Sequence, residues 1–266
     1  MLTIEPLVQA QQYAVKPVTL CEWAPACPCR ILFNAGTNSG KSTVIHNLWI
    51  KIYKNFFQNR VFVFCPNADE VHTWLGMGVS RRQIYTDYKI SDLQKLIVYQ
   101  KQHVMKSNQQ GKVPKQCLFI FEDITQAPIT RARNSRFNVM LTNCRHDGIS
   151  IWASAQLYHT VERIARTQFD NYVFFRIFNQ DELRQIAEDN SVSIKEFNRV
   201  YRYATEHRPF GFLYIKRSPR HGVTYYAHFC KDPITEEEIS RWEHNGGSAH
   251  SEQLRKDGLE AKSVTT

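Results

Sequence analysis

The chain reads as an α/β protein with a mostly parallel sheet flanked by helices, and three observations lead there. Apolar runs of strand length alternate with helical patterns through most of the chain. The first run, Ile31-Leu32-Phe33, leads directly into a glycine-containing turn and then a helical pattern from Thr43 to Phe56. Two late runs, Phe210 to Lys216 and Val223 to Phe229, form a strand pair that extends the sheet. At 266 residues the chain suffices for one large domain with a real core. We expect an N-terminal segment over 1–29, the main domain over 30–243, and a disordered polar tail over 244–266, where the composition turns small, polar and charged.

The elements between follow in order. Val61-Phe62-Val63-Phe64-Cys65 is a second strand, stopped by Pro66-Asn67, with a short helix near Asp69 to Leu75. Ser91 followed by Gln94 has capping spacing and predicts a helix to about Met105, leaving Ser107 to Lys115 as a polar, basic loop. Leu118-Phe119-Ile120-Phe121 is the next buried strand. A helix is predicted over Asn134 to Asn143, and strands over Ile149 to Ala155 and Tyr172 to Phe178. Helices over Asp181 to Asp189 and Ser193 to Tyr203 follow, the second opened by a Ser193/Glu196 capping box.

The turn after the first strand carries the chemistry. Ala35-Gly36-Thr37-Asn38-Ser39-Gly40-Lys41-Ser42-Thr43 matches the phosphate-binding pattern G-x-x-x-x-G-K-[ST], with Ala35 in place of the first glycine. A strand–loop–helix unit aims several backbone N–H groups and a helix N-terminus at one anion. Gly36 and Gly40 supply backbone freedom, Lys41 a cation for the β/γ phosphates, and Ser42 a hydroxyl for Mg²⁺. The flanking strand and helix set this apart from an accidental glycine turn.

Two further constellations belong to the same sheet edge. Leu118 to Phe121 followed by Glu122-Asp123 has the form of a Walker B strand, in which an apolar strand delivers carboxylates to the carboxyl edge where phosphates lie. One acid holds Mg²⁺ through water, and the other orients or deprotonates the attacking water. The usual order is Asp then Glu; with the order reversed here, we assign Glu122 to the metal and Asp123 to the water. Taken alone, the pair is also compatible with a solvated strand end. The strand Ile149 to Ala155 ends in Gln156, whose amide can donate to a γ-phosphate oxygen or hold the water, unless it merely caps the strand. Arg145, before that strand on a turn made by Asp147-Gly148, is either a surface cation or an arginine offered to a neighbouring subunit's nucleotide.

Composition narrows the partners. With 34 Lys+Arg against 25 Asp+Glu the formal charge is +9, which favours a polyanion. Lys101, Lys106, Lys112 and Lys115 before the Walker B strand, or Arg131, Arg133 and Arg136 after it, form two basic sets suited to phosphate contacts, although such charges often serve only to solvate a face. No apolar run approaches bilayer length, and Glu5 interrupts the N-terminal segment that resembles a signal peptide, so a soluble, intracellular protein without a membrane partner is expected. Of seven cysteines, Cys65, Cys117 and Cys144 lie in or beside apolar segments and read as reduced core residues. Cys21, Cys27 and Cys29 lie close together, but no paired C-x-x-C or nearby histidine completes zinc spacing. The absence of an N-K-x-D string disfavours a GTPase, and the absence of L-S-G-G-Q a transporter ATPase.

The order A-x-x-x-x-G-K-S, an apolar strand ending in two acids, then R-H-x-x-x-S-x-x-x-x-x-Q resembles the viral genome-packaging ATPases of the FtsK–HerA superfamily, most of all their poxvirus-type branch. The likeness runs from about Arg30 to Phe229. It implies a P-loop NTPase of the additional-strand type, in which the strand ending in Gln156 lies between the Walker A and Walker B strands and brings Gln156 beside the γ-phosphate. It also implies ATP and Mg²⁺ as cofactors and a homo-oligomeric ring at a capsid or portal vertex that pumps double-stranded DNA inward. The setting is then the viral assembly site within the host cell, and Arg145 is the best match to the arginine that completes the next subunit's site. The competing classes are a nucleoside or nucleotide kinase, a DNA helicase with a related core, and a catalytically dead DNA-binding or capsid-assembly subunit.

Overall fold

The computed structural model describes residues 15–126, 136–206, 210–218 and 221–247. Eight strands form one sheet: β1 (Arg30–Asn34), β2 (Val61–Phe64), β3 (Ile84–Tyr85), β4 (Cys117–Phe121), β5 (Ile149–Ala155), β6 (Asn171–Phe174), β7 (Leu213–Ser218) and β8 (Gly222–Ala227). Their order is β3-β2-β4-β5-β1-β6-β7-β8. The first six in this order are parallel, and β7 and β8 extend the sheet as an antiparallel pair. As expected, β5 lies between β1 and β4, pairing Asn34 with Ala155 and Phe121 with Ala153.

Strands β1, β4 and β5 are buried along their whole length, because helices cover both faces of a parallel sheet. Alternate side chains therefore feed two separate cores. Phe119, Phe121, Ile151 and Ala153 face one, and Leu118, Ile120, Ile31, Phe33 and Trp152 face the other. The segment before β1 packs onto the second core through Ala24, Cys27 and Cys29. Among the described residues, Cys21, Cys27 and Cys29 do not form a metal-binding trio.

The helix after the phosphate loop runs Lys41–Leu48, passes through a π-helical turn at Trp49–Tyr53, and resumes at Lys54–Phe57. That turn buries Trp49 and Tyr53, whose hydroxyl donates to the Pro25 carbonyl at 2.8 Å. The predicted helix from Ser91 instead spans Ile90–Gln109 with Lys89 at its N-cap, so Ser91 lies inside the first turn and the Ser91/Gln94 pair does not cap it. Its stop lies beyond Met105 because Gly111 (φ 65°) supplies the left-handed residue. There the N–H of Lys112 closes onto the Ser107 carbonyl at 2.9 Å. Ser107 to Gln109 are thus helical rather than loop.

The remaining expected helices are Ala68–Gly76, Arg136–Asn143, Gln180–Asp189 and Ile194–Glu206. Ser193 accepts from the Glu196 N–H at 3.2 Å, as its capping spacing predicts. The strand expected to reach Phe178 ends at Phe174. A helix not foreseen, Glu236–His244, is opened by a Thr235/Glu238 capping box. It is held to Ile194–Glu206 by Arg199, which pairs with Glu236 and Glu243. Of the two basic sets, Arg131 and Arg133 and the side chain of Arg136 fall outside the described residues, as does the tail from residue 248.

Candidate functional site

The parallel strands end together on one edge, and three of them deliver the predicted site. Strand β1 is followed by Ala35, which is buried and donates its N–H to the Ala155 carbonyl at 3.1 Å. Ala35 keeps a negative φ, so the position does not require the glycine of the usual pattern. The loop then turns through two left-handed residues, Asn38 (φ 58°) and Gly40 (φ 90°). This geometry gathers successive N–H groups into an anion-binding concavity at the start of helix Lys41–Leu48. Ser39 braces the loop by donating to the Gly36 carbonyl at 2.8 Å.

A cavity of about 790 Å³ opens over this loop. Gly36, Thr37, Asn38, Ser39, Gly40, Lys41, Ser42 and Thr43 line one side, and Glu70, Tyr88, Glu122, Asp123, Ser154 and Gln156 line the other. Burial pushes the Lys41 ammonium below its ordinary pKa, opposed by the charges of Asp123, Glu122 and Glu70. The cavity thus sets one largely buried cation among three acidic side chains.

The two acids after β4 have different environments. Glu122 is buried, and its carboxyl is pushed up to about 7, first by burial and then by Glu70, against the pull of Lys41 and Ser154. One oxygen accepts from the Ser154 hydroxyl at 3.2 Å; Oε1 is buried without a hydrogen-bond partner among the described residues. Asp123 has a left-handed backbone (φ 50°) that swings its carboxylate toward β5. There it accepts from the Gln156 side-chain amide at 2.6 Å. The N–H of Asp123 donates to Ser154 at 2.8 Å, and that of Gln156 donates to the Thr125 hydroxyl at 2.8 Å. The tips of β4 and β5 are thereby one hydrogen-bonded unit.

Oxygen donors with an unsatisfied carboxylate suit a hard cation such as Mg²⁺, and Ser42 and Glu122 both line the cavity. Among the described residues, one further group brings ligand-capable atoms together: His46, Glu70 and Glu122, all within 4.8 Å. His46 lies 3.4 Å from Glu70, and burial lowers its pKa against the opposing charge of Glu70.

Four residues of the site escape motif reading. Ser154 ties Glu122 to Asp123, Tyr88 donates its hydroxyl to the Glu122 carbonyl, and Glu70 and His46 face Glu122 from two helices. Two signals point to them in retrospect. Ser154 is polar in an apolar strand two residues before Gln156, and Glu70 lies in the first turn of the helix Ala68–Gly76 that follows β2.

Arg145 is not among these residues. It precedes β5, at the opposite edge of the sheet, roughly 20 Å from Gln156 along the strand. There it meets Asp170 at 2.5 Å, a carboxylate also held by Arg30. It is half-exposed and does not serve the phosphate loop of its own chain. The loop carrying Lys112 and Lys115 leads into β4 from that same far edge, and Lys101 reaches Asp147 at 3.7 Å.

A parallel sheet with β5 between the phosphate-loop strand and the acid-bearing strand, all three converging on one cavity, defines a P-loop NTPase of the additional-strand type. The chain belongs to the Poxvirus A32 protein family, whose profile matches residues 25–202. Its fold is similar to that of B204, the DNA-packaging ATPase of Sulfolobus turreted icosahedral virus, at a TM-score of 0.56 and 16% identity, covering 79% of this chain and 99% of that one. B204 of Sulfolobus turreted icosahedral virus 2, in complex with AMP, matches at a TM-score of 0.56 and 17% identity over 78% of this chain and 98% of that one. EssC ATPases 2 and 3 of Geobacillus thermodenitrificans match at 0.52 and 10% identity over 88% of this chain and 45% of that one. A sequence search of curated proteins finds no match.

Proposed function

We propose that the chain is an ATP-hydrolysing motor that drives double-stranded DNA into a viral capsid. The observation that carries this reading is the joined tip of β4 and β5: Glu122, Asp123 and Gln156 linked through Ser154 and facing the phosphate loop. Membership of the A32 family and the fold shared with DNA-packaging B204 support the DNA-packaging assignment.

In this reading the N–H groups from Gly36 to Lys41 bind the phosphates, and Lys41 neutralises charge on the β/γ oxygens. Ser42 and, through water, Glu122 would hold Mg²⁺, which when bound would neutralise further charge on the phosphates. Asp123 accepts the proton of the attacking water, and Gln156 orients the Asp123 carboxylate and senses the γ-phosphate. Bond cleavage is thereby felt by β5, the strand that runs from the cavity to the Arg145 edge. Subunits form a ring at a capsid vertex within the host cell, with Arg145 offered to the neighbour's nucleotide. The net positive charge suits sequence-indifferent phosphate contacts that let DNA step past.

The test is steady-state ATP hydrolysis with and without duplex DNA, in wild type and Lys41→Ala. Hydrolysis that rises with DNA and vanishes in the variant is expected. Hydrolysis indifferent to DNA, or phosphorylation of an added nucleoside, would overturn the motor assignment in favour of a kinase.

A further inference from the structure

The cavity over the phosphate loop is furnished for phosphates, yet a nucleoside triphosphate also carries an apolar base. Among the described residues lining the cavity, Tyr88 is the one aromatic side chain, and it is committed to the acid side, donating its hydroxyl to the Glu122 carbonyl. The flank of the loop toward β4 and β5 is therefore polar.

The other flank, toward β6 and β7, has the opposite character. Phe175 follows β6 and stays in register with β1, its N–H donating to the Asn34 carbonyl at 3.1 Å. It belongs to an aromatic group in which Phe212 meets Phe175 at 5.2 Å, His228 at 4.7 Å and Phe229 at 5.4 Å between ring centroids. The group reaches the phosphate loop through Phe175, and Phe210 lies beside it there. A methyl group at Gly40 would lie 3.5 Å from Phe210 Cδ1 and 3.9 Å from Phe175 Cε1.

Phe175 and Phe212 are buried, but Phe210 is 64% exposed. Its backbone takes the left-handed conformation (φ 55°), which a bulky side chain rarely adopts and which the surroundings must impose. The chain thus places a large, solvent-facing ring in a strained conformation against the last glycine of the phosphate loop.

Building on the nucleotide-binding reading above, we propose that Phe210 is the stacking platform for the nucleotide base. Two considerations select this occupant. The ring adjoins Gly40 itself, so a group stacked on it is within the reach of a ribose from phosphates held at Gly36 to Lys41. A base also buries a π-face on an aromatic ring irrespective of its hydrogen-bonding edge. The nucleotide is then gripped at two points of different chemistry, the phosphates by N–H groups and Lys41, the base by Phe210.

The test compares ATP with inorganic tripolyphosphate, which presents the same phosphates without a base. Binding of each is measured by calorimetry at fixed excess Mg²⁺ in the full-length protein. Phe210→Asn removes the ring while retaining a residue that accepts the left-handed backbone, and Phe210→Trp keeps an aromatic face. Phe210→Asn is expected to weaken ATP about ten- to hundredfold and to leave tripolyphosphate unchanged. Phe210→Trp is expected to keep ATP affinity and to change its fluorescence with ATP but not with tripolyphosphate. Equal losses for the two ligands in Phe210→Asn, or no loss of ATP affinity, would overturn the platform while leaving the phosphate loop intact. Failure of the wild type to bind either ligand would remove the phosphate-loop reading and the platform with it.

Discussion

Glu122→Gln preserves the size and shape of a side chain whose charge is opposed by its surroundings. Glu122 is 6% exposed, and among the described residues its Oε1 has no hydrogen-bond partner. Burial and then Glu70 raise its pKa from 4.5 to about 7. At about 1.4 kcal/mol per pH unit this corresponds to roughly 3 kcal/mol. The sign follows from proton binding. Between pH 4.5 and 7 the folded protein retains a proton that the unfolded chain has lost, so folding stability falls as pH rises through that window. Below it the carboxyl is neutral in both states, and above it the full cost is present. Glutamine does not titrate. The stability of Glu122→Gln relative to wild type is therefore expected to be near zero at pH 4 and to climb to about 3 kcal/mol in favour of the variant at pH 8. Urea unfolding of both proteins across that range, free of nucleotide and divalent cations, measures the difference, because titrating groups remote from Glu122 cancel and only its neighbours Glu70, Lys41 and Asp123 respond to the substitution. A difference that is flat with pH, or that favours wild type at pH 8, would refute the raised pKa of Glu122 in the folded protein.

Two further predictions concern Gln156 and Arg145. Gln156→Ala releases the Asp123 carboxylate from its 2.6 Å hydrogen bond, so kcat is expected to fall on the order of a hundredfold with ATP affinity nearly unchanged; a loss of affinity with kcat intact would show that Gln156 binds rather than positions. Arg145→Ala leaves Arg30 on Asp170 and removes a half-exposed ion pair worth about 1 kcal/mol at most, so the fold is expected to survive. Mixing it with Lys41→Ala subunits is then expected to restore hydrolysis at interfaces where an intact loop meets an intact Arg145, and no rescue at any ratio would count against a role in trans.

The phosphate loop was legible because its function resides in contiguous backbone: nine consecutive residues carry the turn, the cation and the hydroxyl, and a strand and helix flank them. Strand β5 was legible to the residue, since its apolar run has clear ends at Gly148 and Gln156. The helix Ile90–Gln109 shows where local signals mislead. Ser91 and Gln94 have capping spacing, yet the helix starts one residue earlier, and its end is set by Gly111 rather than by the polar residues from Ser107 onward. The helix Glu236–His244 was missed although Thr235 and Glu238 have the same spacing that located the cap at Ser193.

The sequence alone therefore determined the class of chemistry, since strand, loop, cation and acids each depend on neighbours in the chain. It determined the two-layer burial of the sheet as well, because continuous apolar runs admit no solvated face. Only the tertiary structure decided which acid is buried and which is held by an amide, because burial and hydrogen bonding depend on residues far apart in sequence. Ser154 reaches Glu122 across 32 positions, and Gln156 reaches Asp123 across 33. It alone decided that Arg145 lies a strand's length from its own phosphate loop while Phe210, 170 positions after Gly40, lies against it. The order of strands in the sheet sets those distances, and that order is a product of packing the whole chain.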